Sequence, residues 1–177
     1  SSDAMHACET WKWKNLRVGN PVADETVNVG PLLDELQGEW VERRIQESGG
    51  KVLCGGKREG SLLQPTLVEK PDPRCALVSD GLFGCALWIA PGDQDIFVQW
   101  WPRNRFPLCA GVLSPSVDLS WWLVRLPNLA RLTVNSDPTI EHIFEPWGGY
   151  PESGLNPVGT WKEKYQRVVA IDEPSPK

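Results

Sequence analysis

Helix-type and strand-type hydrophobic patterns alternate along this chain. Residues 34–48 place apolar side chains three or four positions apart, which predicts a helix that ends at Gly49-Gly50. Residues 83–89 form a short apolar run that suits a buried strand. The other predicted strands are residues 51–54, 62–69, 109–113, 131–135 and 165–171, and the other predicted helices are residues 3–15, 93–102 and 116–126.

This alternation determines the expected fold class. Strands that are separated by helices pair in parallel, so the sequence predicts an α/β fold whose largely parallel sheet has helices on both faces. A chain of 177 residues is long enough to bury a core of its own. We therefore expect one domain over residues 1–171 and a frayed, acidic, proline-containing tail over residues 172–177.

Composition excludes several classes of partner. The net charge is −5 with both signs interspersed, and Arg43-Arg44 is interpreted as a solvated helix face, so nucleic acid is not an expected partner. The longest apolar run, residues 82–91, is shorter than the roughly 20 residues that a membrane-spanning helix needs. The five cysteines are odd in number and do not show the spacing of a disulfide framework, which indicates a reducing intracellular compartment. That compartment can be an organelle, reached by a targeting segment that is later removed.

Tryptophan is unusually abundant, with ten indoles in the chain. Two predicted helices carry adjacent pairs, Trp100-Trp101 and Trp121-Trp122, and neighbours on a helix diverge by about 100°. One indole of each pair is therefore expected at the edge of the core or exposed. Two interpretations stay open: the rings fill a groove between helices, or they form a surface that binds a protein partner.

A glycine-rich run follows the predicted strand that ends at Asn135. Residues 145–156 read EPWGGYPESGLN. This run resembles the aldehyde dehydrogenase signature P-F-G-G-x-x-x-S-G-x-G. Other stretches resemble the same family in order and spacing: LRVGNP (16–21), VGPLL (29–33), KVLCGGK (51–57), QPTLV (64–68), DGLFGC (80–85) and RFPLCAGV (105–112). The chain is identified as a member of the aldehyde dehydrogenase superfamily, of which it resembles the C-terminal, catalytic-domain portion.

The resemblance implies a chemistry that needs groups outside these residues. Such enzymes attack an aldehyde with a cysteine thiolate, pass hydride to a nicotinamide cofactor and hydrolyse the thioester with a glutamate base. In the family the nucleophile lies some tens of residues before the stretch that resembles residues 16–21. No G-x-G-x-x-G pattern is found in the chain. We therefore expect the chain to lack the nucleophile and the NAD-binding domain.

One family motif, E-E-I-F-G-P, corresponds to residues 80–85. In the family its second glutamate hydrogen-bonds the nicotinamide ribose and its phenylalanine packs beside the nicotinamide. The glutamate position is Gly81 and the phenylalanine is retained as Phe83. Because charge-assisted hydrogen bonds contribute about 1.5–3 kcal/mol each, we expect nucleotide affinity to drop well over tenfold. The resemblance also marks a vestigial substrate loop that comprises Trp147, Gly148, Gly149, Ser153 and Gly154.

None of the cysteines is expected to replace the missing nucleophile. His6 and Cys8 lie two apart on a predicted helix and point about 200° away from each other, so the imidazole cannot activate that thiol. The other four are interpreted as buried reduced thiols. The only other histidine, His142, gives no metal-site spacing with them, and no metal is expected.

These features favour a non-catalytic, degenerate domain that binds no cofactor and serves as a structural or assembly subunit of a protein complex, including a peripheral membrane-associated one. In the family the last strand joins a neighbouring subunit's sheet, so that strand edge needs a partner. The alternative is half of a split NAD(P)-dependent enzyme whose partner chain supplies the nucleophile and cofactor domain, with Asn135 in the active site. A third reading, a pseudoenzyme that binds a small ligand, is less favoured. The expected partner surface comprises Trp100, Trp101, Trp121, Trp122, Tyr165, Val168 and Val169.

Overall fold

The computed structural model describes residues 10–126, 129–140 and 168–171. It divides after Asp93 into two compact units, which are described separately. The helices are α1 (Glu35–Gln46), α2 (Ala76–Ser79), α3 (Gln94–Trp100), a 3-10 turn (Trp101–Arg103) and α4 (Leu119–Arg125), and residues 10–14 are also helical. The strands are β1 (Lys51–Cys54), β2 (Arg58–Glu59), β3 (Leu62–Leu63), β4 (Thr66–Glu69), β5 (Ala86–Ile89), β6 (Cys109–Val112), β7 (Arg131–Val134) and β8 (Val168–Ile171).

Helix α1 carries the first unit's core. The Asp34 carboxylate caps the helix by accepting from the Gln37 backbone N–H at 2.7 Å. Val41 and Ile45 lie one turn apart on the buried face and pack with apolar side chains of β3, β4 and α2. The helix predicted from hydrophobic spacing is therefore confirmed within two residues at each end.

The first unit's sheet is mixed, which differs from the largely parallel sheet that the sequence predicts. Its order is β1-β4-β5, in which β5 is parallel to β4 but β1 is antiparallel. The single strand predicted over residues 62–69 is two strands, because Pro65 offers no backbone N–H and interrupts the ladder. The first of these, β3, forms a hairpin with β2 instead.

Gly55 connects β1 to this hairpin in a backbone conformation that other residues rarely adopt. Its φ is +72°, and a Cβ at this position would overlap the Pro65 carbonyl oxygen and lie 2.8 Å from Thr66 Oγ1. Only glycine therefore allows β1 to leave the sheet this close to the start of β4.

The second unit has a parallel sheet, as the sequence predicts. Its order is β6-β7-β8, and all four residues of the central strand β7 are buried. In β8, Val168 and Val169 pair with Arg131 and Leu132 of the same chain, so among the described strands β8 lies at one edge of the sheet. The α/β class is confirmed. The core comprises Trp101, Ala110, Leu126, Leu129, Leu132 and Val134.

Two fully buried threonines differ in whether their hydroxyl groups are satisfied. The Thr66 hydroxyl donates to Gln64 O at 2.7 Å and accepts from the Gly56 N–H at 2.9 Å, whereas the Thr133 hydroxyl has no hydrogen-bond partner among the described residues. Because an unsatisfied buried hydroxyl costs free energy, we expect Thr133→Val to preserve stability or add about 1 kcal/mol. The matched Thr66→Val should lose about 1–3 kcal/mol, since it orphans backbone groups. Urea unfolding measures both, and equal losses would contradict the assignment.

Candidate functional site

The loop between α2 and β5 contains the two positions that the sequence relates to a cofactor. Gly81 has φ +66°, and no heavy atom lies within 4 Å of where a Cβ would be. Phe83 is 85% exposed, so its ring makes few contacts with the described residues. The loop therefore presents an open backbone position beside an exposed aromatic ring.

Gln37 of helix α1 holds this loop through its side-chain amide. Nε2 donates to Phe83 O at 2.6 Å, and Oε1 accepts from the Leu33 backbone N–H at 2.9 Å. Gln37 is not among the residues that the sequence motifs identify. The Asp34-x-x-Gln37 spacing of a capping box was the available signal, although in the usual box the glutamine reaches back to the cap residue itself.

The acidic residue next to Gly81 is engaged by the helix. The Asp80 carboxylate lies 3.4 Å from an Arg44 guanidinium nitrogen, and the two side chains are only 21% and 25% exposed. The Ser79 hydroxyl donates to the same carboxylate at 2.8 Å, and the Arg44 guanidinium lies 5.0 Å from the centre of the Trp40 ring. The interpretation of Arg44 as a solvated surface residue is therefore wrong, because this ion pair draws it against the loop.

The four described cysteines are free thiols that differ in burial. Cys54, Cys75, Cys85 and Cys109 are free thiols, and Cys54 is buried with its Sγ 3.9 Å from Pro65 O. Burial, and secondarily the neighbouring Cys54, raises the pKa of the Cys85 thiol, which favours the neutral form. Cys8 lies outside the described residues.

The raised pKa of Cys85 predicts slow alkylation. Because iodoacetamide reacts with the thiolate, Cys85 should be modified more slowly in native protein than in urea-unfolded protein at mildly alkaline pH, and its rate should rise at higher pH than in the unfolded chain. Peptide mass spectrometry gives the rate at each cysteine, with half-buried Cys75 as the internal comparison. A native Cys85 that reacts as fast as the unfolded one would contradict this expectation.

In the second unit, Asn135 joins the carboxyl ends of two parallel strands. It has φ +54°, a conformation that asparagine tolerates better than most residues. Its Oδ1 accepts from the Ser114 backbone N–H at 2.8 Å, and its own N–H donates to Val112 O at 2.8 Å. The carboxyl edge of a parallel sheet is the usual place for ligands in such folds.

Trp100 and Trp101 differ in burial, whereas Trp121 and Trp122 are both partly buried. Trp101 is buried in the core, while Trp100 is partly buried. Trp122 packs against the same core, with the Trp121 ring edge-on at 5.0 Å and the Arg125 guanidinium 5.1 Å from that ring. These contacts fit rings at the edge of a core, and the partner surface stays a prediction.

The described residues also bear on the predictions about metal sites and membrane-spanning helices. Within the described ranges, no group of three or more His, Cys, Asp or Glu side chains could hold a metal ion. Over the same part of the chain, no helix has the length and apolar character to cross a membrane. The predicted site residues outside the described ranges are Trp147, Gly148, Gly149, Ser153, Gly154 and Tyr165.

Comparison with known proteins gives consistent relatives. The lactaldehyde dehydrogenase of Methanococcus aeolicus is 30% identical over 174 residues, which are 93% of this chain and 34% of the relative. The 3-sulfolactaldehyde dehydrogenase of Priestia megaterium is 29% identical over 148 residues, 81% of this chain and 31% of the relative. The chain thus spans about a third of the length of these relatives.

A solved structure shares the fold. The glyceraldehyde-3-phosphate dehydrogenase GapN of Methanocaldococcus jannaschii, complexed with NADP, matches with a TM-score of 0.77 and 28% identity. The match covers 86% of this chain and 34% of that one. The predicted likeness to an aldehyde dehydrogenase catalytic domain is therefore confirmed.

Two sequence-based predictions are corrected by these relatives. The chain was expected to be non-enzymatic and to use no cofactor, yet its relatives are named as dehydrogenases and a structural neighbour is complexed with NADP. Both predictions rested mainly on the nucleophile and the NAD-binding domain not being found in these residues, and Gly81 adds little to them because losing one acceptor weakens a binding site without abolishing it. The aldehyde dehydrogenase family model matches residues 3–171, nearly the whole chain, and the protein belongs to that family.

Proposed function

We propose that this chain forms the C-terminal part of the catalytic domain of an NAD(P)-dependent aldehyde dehydrogenase. The observation that carries the proposal is the family match over residues 3–171. The nucleophilic cysteine, the general base and the dinucleotide-binding fold would come from sequence outside these 177 residues. When bound, the nicotinamide supplies the acceptor for the hydride that leaves the aldehyde carbon.

The loop at residues 80–85 fits such a cofactor in part. The exposed Phe83 ring offers an apolar surface for a planar ring, and the open space at Gly81 leaves room for a sugar. The ribose hydroxyl groups would lack a carboxylate acceptor at Gly81, and the neighbouring Asp80 is paired with Arg44. We therefore expect the wild-type protein to bind the dinucleotide more weakly than the Gly81→Glu variant does.

Asn135 is the second residue of this chain to which we assign a role in the proposed active site. By fixing the ends of β6 and β7 to each other, its side chain would hold the carboxyl edge of this sheet. Its role is to keep this edge rigid, so that residues beyond it meet the substrate in a constant position.

Small 2-hydroxyaldehydes are the substrate class that we propose. Relatives at 28–30% identity are named lactaldehyde dehydrogenase, and one at 29% acts on 3-sulfolactaldehyde. Both names describe a short aldehyde with a neighbouring hydroxyl group. A vanillin dehydrogenase of Pseudomonas fluorescens is also similar, at 27% identity, so an aromatic aldehyde is the appropriate comparison substrate.

The complete native protein tests this proposal. We expect the protein to form reduced cofactor when lactaldehyde is supplied with NAD or NADP, as measured by the absorbance of the reduced cofactor. Turnover with vanillin should be slower. No turnover with any aldehyde, in a preparation that contains a dinucleotide-binding domain, would overturn it. Intact mass and subunit composition of the same preparation distinguish one long polypeptide from the split arrangement, in which a separate chain supplies the missing groups.

The tryptophan pairs and β8 remain a proposed protein contact. β8 is the last strand in the order β6-β7-β8, so its outer edge is where a strand of a neighbouring subunit would pair. Trp100 and Trp121 are partly exposed and stay separate candidates for a protein contact, whereas Trp101 is buried in the core.

A further inference from the structure

Gln37 occupies a junction between two segments that are distant in sequence. Both ends of its side-chain amide are used: Oε1 accepts from the Leu33 N–H, and Nε2 donates to the carbonyl oxygen of Phe83, 46 residues further along the chain. A glutamine whose donor and acceptor are both engaged with backbone groups acts as a cross-link between the segments.

The helix that carries Gln37 is firmly anchored. Its first turn is capped by Asp34, and its buried face is held by Val41, which has no exposed surface. A Cβ built on Gly84, the residue after Phe83, would lie 3.3 Å from a Val41 methyl group, so the loop approaches the helix closely. Gln37 therefore extends from a rigid element to a loop that rests against it.

Phe83 depends on backbone contacts for its position. A side chain that is 85% exposed has few packing contacts to fix its direction, so the direction of the ring follows from how the Phe83 backbone is held. A bond to the Phe83 carbonyl therefore acts directly on the presentation of the ring.

We propose that Gln37 is a positioning residue for the cofactor, which it does not contact directly: by holding the Phe83 carbonyl and the Leu33 N–H it keeps the Phe83 ring in place to receive the nicotinamide. This inference depends on the proposed function. The alternative is a direct polar contact from Gln37 to a ligand through the second N–H or the second oxygen lone pair, which the two backbone bonds leave available.

Two substitutions separate the two bonds. Gln37→Met has similar length and removes both, whereas Gln37→Glu keeps an acceptor for Leu33 but places a carboxylate oxygen against the Phe83 carbonyl. Gln46, exposed near the end of the same helix, provides the matched controls Gln46→Met and Gln46→Glu. They repeat the same chemical changes away from the loop.

The complete protein is examined with two measurements. Chymotrypsin cleaves after the Phe83 carbonyl, so the rate of that cleavage, followed by mass spectrometry, reports release of the backbone. Calorimetry gives the Kd for NAD and NADP. We expect both Gln37 variants to be cleaved about fivefold faster and to bind the dinucleotide about fivefold more weakly, while both Gln46 variants behave as wild type.

The outcomes are distinguishable. If the wild-type protein binds the dinucleotide and both Gln37 variants bind it with the same Kd, the positioning role is overturned, even if the variants are cleaved faster. Wild-type protein that binds no dinucleotide would overturn the proposed function itself. Weaker binding by Gln37→Met with unchanged cleavage after Phe83 would indicate a direct ligand contact and would also overturn the positioning role.

Discussion

Gly55→Ala is expected to lower the free energy of unfolding by about 4 kcal/mol. About 1–2 kcal/mol comes from placing a side chain at positive φ, and about 1–3 kcal/mol comes from the overlap of the new methyl group with the Pro65 carbonyl and the Thr66 hydroxyl. Because the obstructing atoms belong mainly to backbone, they cannot rotate away as a flexible side chain would. Urea unfolding followed by tryptophan fluorescence measures the loss.

Gly81→Ala is the matched control for Gly55→Ala. Gly81 has nearly the same φ, +66° against +72°, but nothing lies within 4 Å of the added Cβ. It should therefore show the conformational cost alone, about 1–2 kcal/mol. Equal losses at both positions would show that the contact with Pro65 relaxes and that Gly55 is required only for its backbone angle.

Gly81→Glu is expected to tighten dinucleotide binding about tenfold in the complete protein. By the resemblance on which Gly81 was aligned, the new carboxylate would accept hydrogen bonds from the ribose hydroxyl groups, each worth about 1.5–3 kcal/mol before the cost of ordering the side chain. The substitution should also reduce stability by about 1–2 kcal/mol, because φ stays positive. Calorimetry gives the affinity and thermal unfolding gives the stability.

Two further variants at this position serve as controls for Gly81→Glu. Gly81→Gln offers a neutral acceptor and should give a smaller gain, and Gly81→Ala should give none. If Gly81→Glu and Gly81→Ala bind the dinucleotide equally well, Gly81 does not face the ribose. That result would refute the residue assignment while leaving the wild-type protein's activity as a separate question.

The helix α1 and the strands β1, β6 and β7 were predictable because local spacing and short apolar runs determine them. The hairpin of β2 and β3 was not, because its pairing depends on where Pro65 interrupts the following strand. The antiparallel direction of β1 was missed for a similar reason. A short connection between β1 and β4 through a hairpin permits an antiparallel pairing, whereas helix-strand alternation suggests a parallel one.

At the site, the sequence identified Gly81 and Phe83 by motif but could not give their surroundings. The bond from Gln37 to Phe83 joins residues 46 positions apart, and the ion pair between Arg44 and Asp80 joins a helix to a loop. Neither follows from local pattern. The expectation of an inactive protein rested on the nucleophile and the dinucleotide-binding pattern not being found in these residues, on Gly81 and on the tryptophan excess. Relatives that are named as dehydrogenases contradict it.

Cys54 and Cys85 lie on either side of β4, so a disulfide between them could form only after β4 had separated from the sheet. Cys54 is opposite Leu67 of β4, and the Cys85 carbonyl accepts from the Thr66 N–H on the other edge of that strand. Two strand spacings of about 4.8 Å place the two Cα atoms at least about 10 Å apart, beyond the roughly 7 Å that a disulfide can bridge. An oxidised pair would therefore record an event in which β4 had left its place between them.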